Sequence, residues 1–320
     1  MTEIQDQTVR AVYELPLFRL MTLASQAHQT HFRENDIQAS SLLSIKTGGC
    51  PENCSYCPQS AHYPSELKKT SLMPLTEVVG AAIKAKATGA SRFCMGAAWR
   101  DIKNGQQFDE VLQMVASVKE LGLEVCCTLG MLNEKQAFRL KEAGLFAYNH
   151  NIDSSRNFYS KIIQTRTFDD RLRTIKNVRA AGLTVCTGGI LGMGETDEDR
   201  IQFIEQLISL SPLPESITVN MLVPFSGTPL ENQTPISPLE VIRVIGTIRI
   251  FAPQSMIRLS AGRMSMSEEA QFLCFLAGAN SIFLGEKLLT SPNPEAHQDL
   301  ALLNKLGYKL KKSETVHAEV

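Results

Sequence analysis

The chain has almost no surplus of charge of either sign, since 32 lysines and arginines are balanced by 33 aspartates and glutamates. A protein that neutralises many phosphates needs excess positive charge, so nucleic acid and anionic membranes are not expected partners. Long apolar runs are also missing near the start of the chain, where the best one, LPLFRLMTLA, is interrupted by Arg19. Such a run is too short for a membrane span or a signal peptide, so we predict a cytoplasmic protein.

Cysteine is sparse as well. Eight cysteines among 320 residues are too few for a disulfide scaffold. In a reducing compartment they are instead the first candidates for metal ligands or catalytic groups. The remaining composition, 43% hydrophobic and 20% charged, is typical of a soluble globular protein. The chemistry of the protein is therefore expected at its cysteines.

Short strand-like runs alternate with longer helical patterns along most of the chain. Eight such runs begin at residues 41, 91, 123, 145, 183, 216, 255 and 281. This repetition predicts an α/β fold, namely a (β/α)8 TIM-type barrel with an N-terminal helical extension, while a doubly wound open sheet remains the alternative. We predict a helical segment over residues 1–38, the barrel over 39–290, and a C-terminal helix with a polar tail over 291–320.

Alternation within the strands predicts which side chains face the lumen, because successive side chains of a strand point to opposite faces. In the run from 123 to 129 the apolar residues share one face, which leaves Glu124, Cys126 and Thr128 on the other. The same division in five further strands adds a lumenal set of Arg92, Cys94, Asn149, Asn151, Asp153, Cys186, Asn220 and Arg258. Burying so many polar groups is costly without a partner, so a ligand site is favoured over a purely structural polar layer.

The segment KTGGCPENCSYCPQS places Cys50, Cys54 and Cys57 in a C-x3-C-x2-C spacing, in the loop after the first strand. In a βα barrel that loop lies on the catalytic face. Three thiolates can hold three irons of a 4Fe-4S cluster and leave the fourth iron open. The alternative is a zinc site with His62 as the fourth ligand, although zinc motifs usually pair two short ligand groups across a longer spacer.

This loop resembles the one that defines the radical S-adenosylmethionine superfamily. The segment GGILGMGE also contains that superfamily's G-x-I-x-G-x-x-E pattern, formed by Gly188, Ile190, Gly192 and Glu195. The resemblance implies that S-adenosylmethionine chelates the open iron, that Tyr56 lies by the adenine, and that Ile190 packs on the adenosine. A plain structural role for Tyr56 in anchoring the loop is the alternative.

Over nearly its whole length the chain is also similar to the biotin synthase family. The segments that carry this similarity include SRFCMGAAW, GLEVCCTLG, YNHNID, VCTGGILGMGE, SITVNMLV and IRLSAGR. The resemblance implies a second cluster, of the 2Fe-2S type, held by Cys94, Cys126, Cys186 and, unusually for a ligand, Arg258. A role for Arg258 as a lumenal salt-bridge partner remains open.

The same resemblance implies roles for several polar residues. Asn151 and Asp153 hold the cofactor's ribose, Arg171 lies near the cofactor, and Asn149, Asn151 and Asn220 meet the ureido ring of dethiobiotin. An asparagine suits that ring because one side chain offers both a donor and an acceptor. His150 falls on the opposite face and is predicted to be a satisfied packing residue, and Cys127 and Cys274 are predicted to be core residues.

The implied activity is that of a radical sulfurtransferase acting at the final step of biotin biosynthesis. Sulfur from the 2Fe-2S cluster is inserted into dethiobiotin after a 5′-deoxyadenosyl radical from S-adenosylmethionine removes hydrogen from unactivated carbons. Acid-base groups cannot activate such C–H bonds, so no acid-base catalyst is predicted. A one-electron donor such as flavodoxin or ferredoxin and a homodimer are the implied partners. Another radical enzyme on this barrel, a nucleic-acid-modifying member and a non-enzymatic iron-sulfur or zinc protein remain alternatives.

Overall fold

Eight parallel strands close into a barrel in the computed structural model, which describes residues 7–32 and 35–311. The strands are β1 (Asp36–Lys46), β2 (Arg92–Ala97), β3 (Glu124–Thr128), β4 (Ala147–Asn149), β5 (Thr184–Leu191), β6 (Ser216–Met221), β7 (Met256–Leu259) and β8 (Ser281–Phe283). Each strand pairs with the next, and β1 pairs with both β2 and β8. The ring is therefore closed, which confirms the TIM-type barrel over the open sheet.

Helices connect the strands and surround the barrel. They are α1 (Val9–Tyr13), α2 (Leu17–His31), α3 (Leu75–Ala87), α4 (Gln106–Glu120), α5 (Glu134–Glu142), α6 (Arg156–Ile162), α7 (Phe168–Ala180), α8 (Asp197–Ile208), α9 (Pro238–Phe251), α10 (Glu268–Leu276) and α11 (Ala296–Lys305). Their starts follow local sequence signals: Thr167 and Thr196 cap α7 and α8, each in a reciprocal bond with an aspartate three residues later. None of the helices in the described ranges is long and apolar enough to cross a membrane.

The two ends of the chain pack onto the barrel wall. The predicted N-terminal helix is present as α2, and its Leu20 and Ala24 lie so close to α9 that a Cβ on Gly246 would be only 3.4 Å from Leu20 Cγ. The first strand begins at Asp36, earlier than the predicted barrel start at 39. Lys309–Leu310 form a short strand, β9, that pairs with β1, where a polar tail was predicted. The rest of that tail, residues 312–320, lies outside the described residues.

Side chains divide between the two faces of the barrel as the alternation predicts. Cys127 lies in the large core between strands and helices, together with Phe93, Met95 and Val125. Cys94 and Cys126 belong to a separate apolar group inside the barrel. The neighbouring Cys126 and Cys127 therefore face opposite ways, and the predicted register of β2 and β3 is correct.

Candidate active site in the barrel lumen

A cavity of ≈ 300 Å³ opens inside the barrel. It brings together thirteen of the predicted site residues: Cys50, Cys54, Tyr56, Cys57, Cys94, Cys126, Asn149, Asn151, Asp153, Arg171, Ile190, Asn220 and Arg258. Cys186 does not line it, but its Sγ lies 3.9 Å from Nη1 of Arg258. Side chains from one loop and from most of the strands therefore converge on one cavity.

Backbone hydrogen bonds fold the loop that carries the first three cysteines. The Cys50 N–H donates to Gln59 O at 2.9 Å, and the Cys57 N–H donates to Cys54 O at 2.9 Å. Gly48 and Gly49 have φ angles of 74° and 70°, in the left-handed region that glycine tolerates best. These contacts wrap the loop so that all three thiols face the cavity.

Burial raises the pKa of all three of these thiols, and that of Cys57 to about 12. As free groups they would therefore be protonated at neutral pH, whereas coordination to a metal deprotonates a thiol outright. Because burial disfavours the charged thiolate, these three cysteines would need positive charge beside them to be deprotonated. The donor set, three thiols on one loop facing one cavity, fits a 4Fe-4S cluster that lacks one protein ligand.

The zinc alternative fits less well. His62 is exposed, and its Nε2 lies 3.0 Å from Pro51 O, so it is held against the loop backbone. In the described part of the chain, no three His, Cys, Asp or Glu side chains are arranged around a position for a single metal ion. A closed zinc site would need His62 as its fourth ligand, and the Nε2 of His62 is already paired with the loop backbone.

Two charged residues beside this loop were missed by the sequence analysis. Glu52, 2% exposed, lies between the first two cysteines and pairs with Arg100 Nη1 at 2.9 Å. Arg166 lines the cavity, and its Nη2 lies 3.8 Å from Cys54 Sγ. The sequence offered one signal for each: Glu52 lies inside the cysteine motif, and Arg166 lies in the segment TRTF, which also carries the family resemblance.

The second cysteine set is carried by strands. Cys94 on β2 and Cys126 on β3 are direct neighbours in the strand register. The hydrogen bond between the two thiols lowers the pKa of Cys94, assisted by the guanidinium groups of Arg258 and Arg92. Such a pair readily gives up a proton, which is what a thiolate ligand of a metal cluster must do.

Arg258 is 1% exposed and is held by neutral acceptors. Its Nε donates to Ser281 Oγ at 3.0 Å and its Nη2 to Ser40 Oγ at 3.0 Å. Within residues 7–32 and 35–311 it forms no ion pair with a carboxylate, so the salt-bridge alternative is not what the structure shows. The serines fix the guanidinium with Nη1 toward Cys186.

Arg92 is a second lumenal arginine, which the alternation placed correctly but to which no role was assigned. Its Nε donates to Glu124 Oε2 at 2.8 Å, whereas its buried Nη1 has no partner in the described chain. Its charge acts on Cys94 and Cys126. An unpaired buried donor beside these cysteines is consistent with an acceptor group bound there.

The three asparagines differ in how many hydrogen bonds each side-chain amide already makes within the protein. Asn149 Nδ2 donates to Thr128 Oγ1 at 3.1 Å, but its buried Oδ1 has no partner among the described residues. Asn151 Oδ1 accepts from Thr218 Oγ1 at 3.0 Å. Asn220 is bonded at both ends, to Gly189 O at 3.0 Å and to the Ala261 N–H at 3.3 Å. Asn149 therefore has one amide acceptor without a hydrogen bond in the described chain.

Asp153 and Arg171 form a buried ion pair beside the first three cysteines. The Arg171 Nε also donates to Tyr159 Oη at 3.0 Å, which orients the guanidinium. Asp153 is the one non-glycine residue of the described chain with a positive φ, 67°. Its N–H bonds Gly188 O at 3.0 Å and its carbonyl accepts from the Ile190 N–H at 2.9 Å, so the strain is held by β5.

His150 was predicted to be a satisfied packing residue, and that prediction is wrong. It lines the cavity, and its buried Nε2 has no hydrogen-bond partner in the described chain. It lies in the irregular segment that follows β4, where both His150 and the next residue, Asn151, line the cavity. Burial, aided by the charges of Arg171 and Arg166, lowers its pKa far below the usual value, so the ring is neutral.

Comparison with known proteins matches most of the chain to two families. Residues 44–207 match the Radical SAM superfamily, and residues 218–309 match the Biotin and Thiamin Synthesis associated domain. The biotin synthase of Myxococcus xanthus is 57% identical over 301 residues, which cover 94% of this chain and 87% of that protein. The biotin synthase of Gloeobacter violaceus is 54% identical over 306 residues, covering 96% of each chain.

Solved structures with lower identity share the barrel. A methylornithine synthase superposes with a TM-score of 0.82 at 19% identity, covering 97% of this chain and 96% of that chain. A maturase of the FeFe-hydrogenase superposes with a TM-score of 0.79 at 16% identity, covering 94% and 70%. At such identities the likeness concerns the fold alone.

Proposed function

The chain belongs to the biotin synthase family of radical S-adenosylmethionine enzymes, and we propose how its lumenal side chains divide the work of that family's reaction. The reaction inserts sulfur into dethiobiotin and yields biotin. One observation carries the proposal: the three loop-borne cysteines and two of the strand-borne cysteines, Cys94 and Cys126, meet in a single cavity with the asparagines. Two metal-binding sets in one cavity suit a reaction that needs both a radical and a sulfur donor.

We assign the first set, Cys50, Cys54 and Cys57, to the 4Fe-4S cluster, and the second set, Cys94, Cys126, Cys186 and Arg258, to the 2Fe-2S cluster. When bound, these clusters and S-adenosylmethionine supply the carbon radical and the inserted sulfur. The protein holds the reacting partners in order: Tyr56 and Ile190 flank the adenosine, and Asn151 with Asp153 binds its ribose. Arg171 fixes the Asp153 carboxylate, which keeps the ribose site in one orientation.

The substrate is placed between the two sets. Asn149, Asn151 and Asn220 surround the ureido ring, and the open Oδ1 of Asn149 accepts a ring N–H. The neutral ring of His150 adds no charge near the radical chemistry. Apolar walls from Leu42, Phe283 and Leu288 exclude water, which protects a reactive carbon centre from side reactions.

Four further assignments complete the proposal: the electron donor and the homodimer rest on the family resemblance, whereas the cytoplasmic location and the division of the chain rest on the sequence pattern. The partner that delivers the electron is a one-electron carrier such as flavodoxin or ferredoxin, and the enzyme works in the cytoplasm as a homodimer. The chain is divided into an N-terminal helical segment, the radical barrel and a C-terminal helix with its tail. The barrel core extends from β1 to β8.

Metal analysis of anaerobically reconstituted protein tests the two-cluster assignment. Wild type should hold iron and acid-labile sulfide as two clusters with separate absorption and EPR signals. Cys54→Ala should lose one signal and Cys126→Ala the other, whereas Cys127→Ala, one position away but in the outer core, should keep both. Zinc without acid-labile sulfide, or loss of the same signal in both variants, would contradict the proposal.

A further inference from the structure

A loop at the mouth of the barrel, residues 286–293, forms one wall of the cavity. Leu288 of this mouth loop packs in the lumen with Cys94 and Cys126. Leu289 reaches β2: a Cβ built on Gly96 would lie 2.4 Å from its Cδ2. The loop therefore starts after β8 and lies across the opening, beside the cysteines assigned to the sulfur donor.

The mouth loop is closed on itself by hydrogen bonds between its two halves. The Asn293 N–H donates to Glu286 O at 2.8 Å, and the Leu288 N–H donates to Ser291 O at 2.9 Å. The Asn293 side chain donates to Gly285 O at 2.7 Å and to Phe283 O at 3.1 Å, at the end of β8. The position of the loop is thus set by whatever holds its two ends.

One side chain, Arg263, holds both ends. It lies in the short turn after β7, and its Nη2 donates to Phe283 O at 3.2 Å, just before the loop. Its Nη1 and Nη2 also donate to the two carboxylate oxygens of Asp299, at 2.6 and 2.7 Å, in the first turn of α11 just after the loop. Gln271 of α10 accepts a further bond from Nη1 at 3.1 Å.

This ion pair is almost completely removed from water, with Arg263 1% and Asp299 2% exposed. Burying two charges is costly, and apolar residues of similar volume often stabilise a fold as well, so stability alone does not account for the pair. A two-pronged arginine–carboxylate contact does fix distance and angle. Because the ion pair lies between the two ends of the mouth loop, the property that it controls is the position of that loop.

We propose that Arg263 and Asp299 are positioning residues that hold the mouth loop over the second cysteine set and thereby hold the substrate carbon in line with the sulfur donor. The inference rests on the proposed function of that set. Neither residue lines the cavity, so both act through the loop. Loosening the pair leaves radical formation intact but lowers the share of radicals that end in a carbon–sulfur bond.

The test is Asp299→Asn, which keeps the shape of the side chain and removes its charge. Under anaerobic single-turnover conditions, the ratio of biotin to 5′-deoxyadenosine should fall about tenfold, because a small displacement of aligned reactants costs that much or more. The KM for dethiobiotin should rise, while the iron content and the dissociation constant of S-adenosylmethionine stay at wild-type values. A general loss of structure would instead lower all of these together.

Glu268→Gln is the matched control. It removes the Lys305–Glu268 ion pair, which also ties α11 to α10 but is exposed, so the product ratio should not change. Asn293→Ala removes the hydrogen bond from the Asn293 side chain to Phe283 O. It should also lower the ratio of biotin to 5′-deoxyadenosine, and it replaces Asp299→Asn as the test if that variant does not fold. A wild-type ratio in folded Asp299→Asn, or in Asn293→Ala if the first variant fails, overturns the inference. Wild-type protein that forms no 5′-deoxyadenosine would instead refute the proposed function itself.

Discussion

Asn149 and Asn220 should respond differently to truncation, although both line the lumenal cavity. In Asn149→Ala the buried acceptor Oδ1, which has no partner in the described chain, is lost. One neutral hydrogen bond contributes about 1 kcal/mol, so the dissociation constant for dethiobiotin should rise about fivefold. The free energy of unfolding should change little, because only the bond to the Thr128 hydroxyl is lost within the protein.

In Asn220→Ala the Ala261 N–H loses its acceptor, while Gly189 O loses one of its donors. An unpaired backbone N–H costs about 2 kcal/mol, so this variant should be less stable as well as weaker in binding. Calorimetric titration with dethiobiotin, in the presence of S-adenosylmethionine, and chemical unfolding measure the two quantities. Wild-type affinity for dethiobiotin in Asn149→Ala, or unchanged stability in Asn220→Ala, would contradict this reasoning, in which the Asn149 acceptor is available to substrate whereas the Asn220 amide is already bonded within the protein.

Two further predictions concern the first cluster and the stability of the fold. Cys54→Ala should abolish cleavage of S-adenosylmethionine, because the electron-delivering cluster loses a ligand; normal 5′-deoxyadenosine formation would contradict this. His28 takes up its proton near pH 6.5 when unfolded, but burial and then the charge of Arg249 lower its folded pKa to about 4. The free energy of unfolding should therefore fall as the pH drops from about 6.5 toward 4. In His28→Leu, measured by urea titration over the same pH range, the free energy of unfolding should fall less. An equal fall in both proteins would show that groups other than His28 cause the effect.

Strand alternation was the part of the site that the sequence predicted best. The rule is local, because it depends only on the extended backbone, and it separated Cys126 from Cys127 without any tertiary information. The eight βα units likewise follow from periodicity and helix caps such as Thr196. What periodicity could not provide was closure of the ring, which depends on pairing between β1 and β8 at opposite ends of the chain.

The failures occur where the backbone leaves regular structure. His150 was assigned to the wrong environment because β4 ends at Asn149: His150 and Asn151 are consecutive residues and both line the cavity, which strict alternation does not allow. The short pairing of β9 with β1 joins residues far apart in the chain, and its polar sequence gives no strand signal. That the mouth loop lies over the lumen could not be predicted from the sequence, because its contacts with Gly96 and the bond from Arg263 to Phe283 O are tertiary.

Buried charge was the other feature that the sequence did not reveal. Neither Glu52 nor Arg166 is marked as buried by its sequence: Glu52 lies inside the cysteine motif, but its burial, and the place of Arg166 beside Cys54, are produced by the fold. Their burial follows from contacts between loops that are more than a hundred residues apart. The chemistry-bearing cysteines were visible because their spacing is local, whereas the groups around them are assembled by tertiary contacts.

The central claim is that the two cysteine sets have separate jobs, and product analysis of Cys186→Ala tests it most directly. Cys186 lies 3.9 Å from Arg258 and outside the loop that carries the first set. Reconstituted with iron and sulfide, this variant should still bind S-adenosylmethionine and dethiobiotin and form some 5′-deoxyadenosine, but no biotin. Cys127→Ala, run in parallel, should make biotin and lose only about 1 kcal/mol of stability. Biotin from Cys186→Ala at the wild-type yield would show that the strand-borne set is not the sulfur donor.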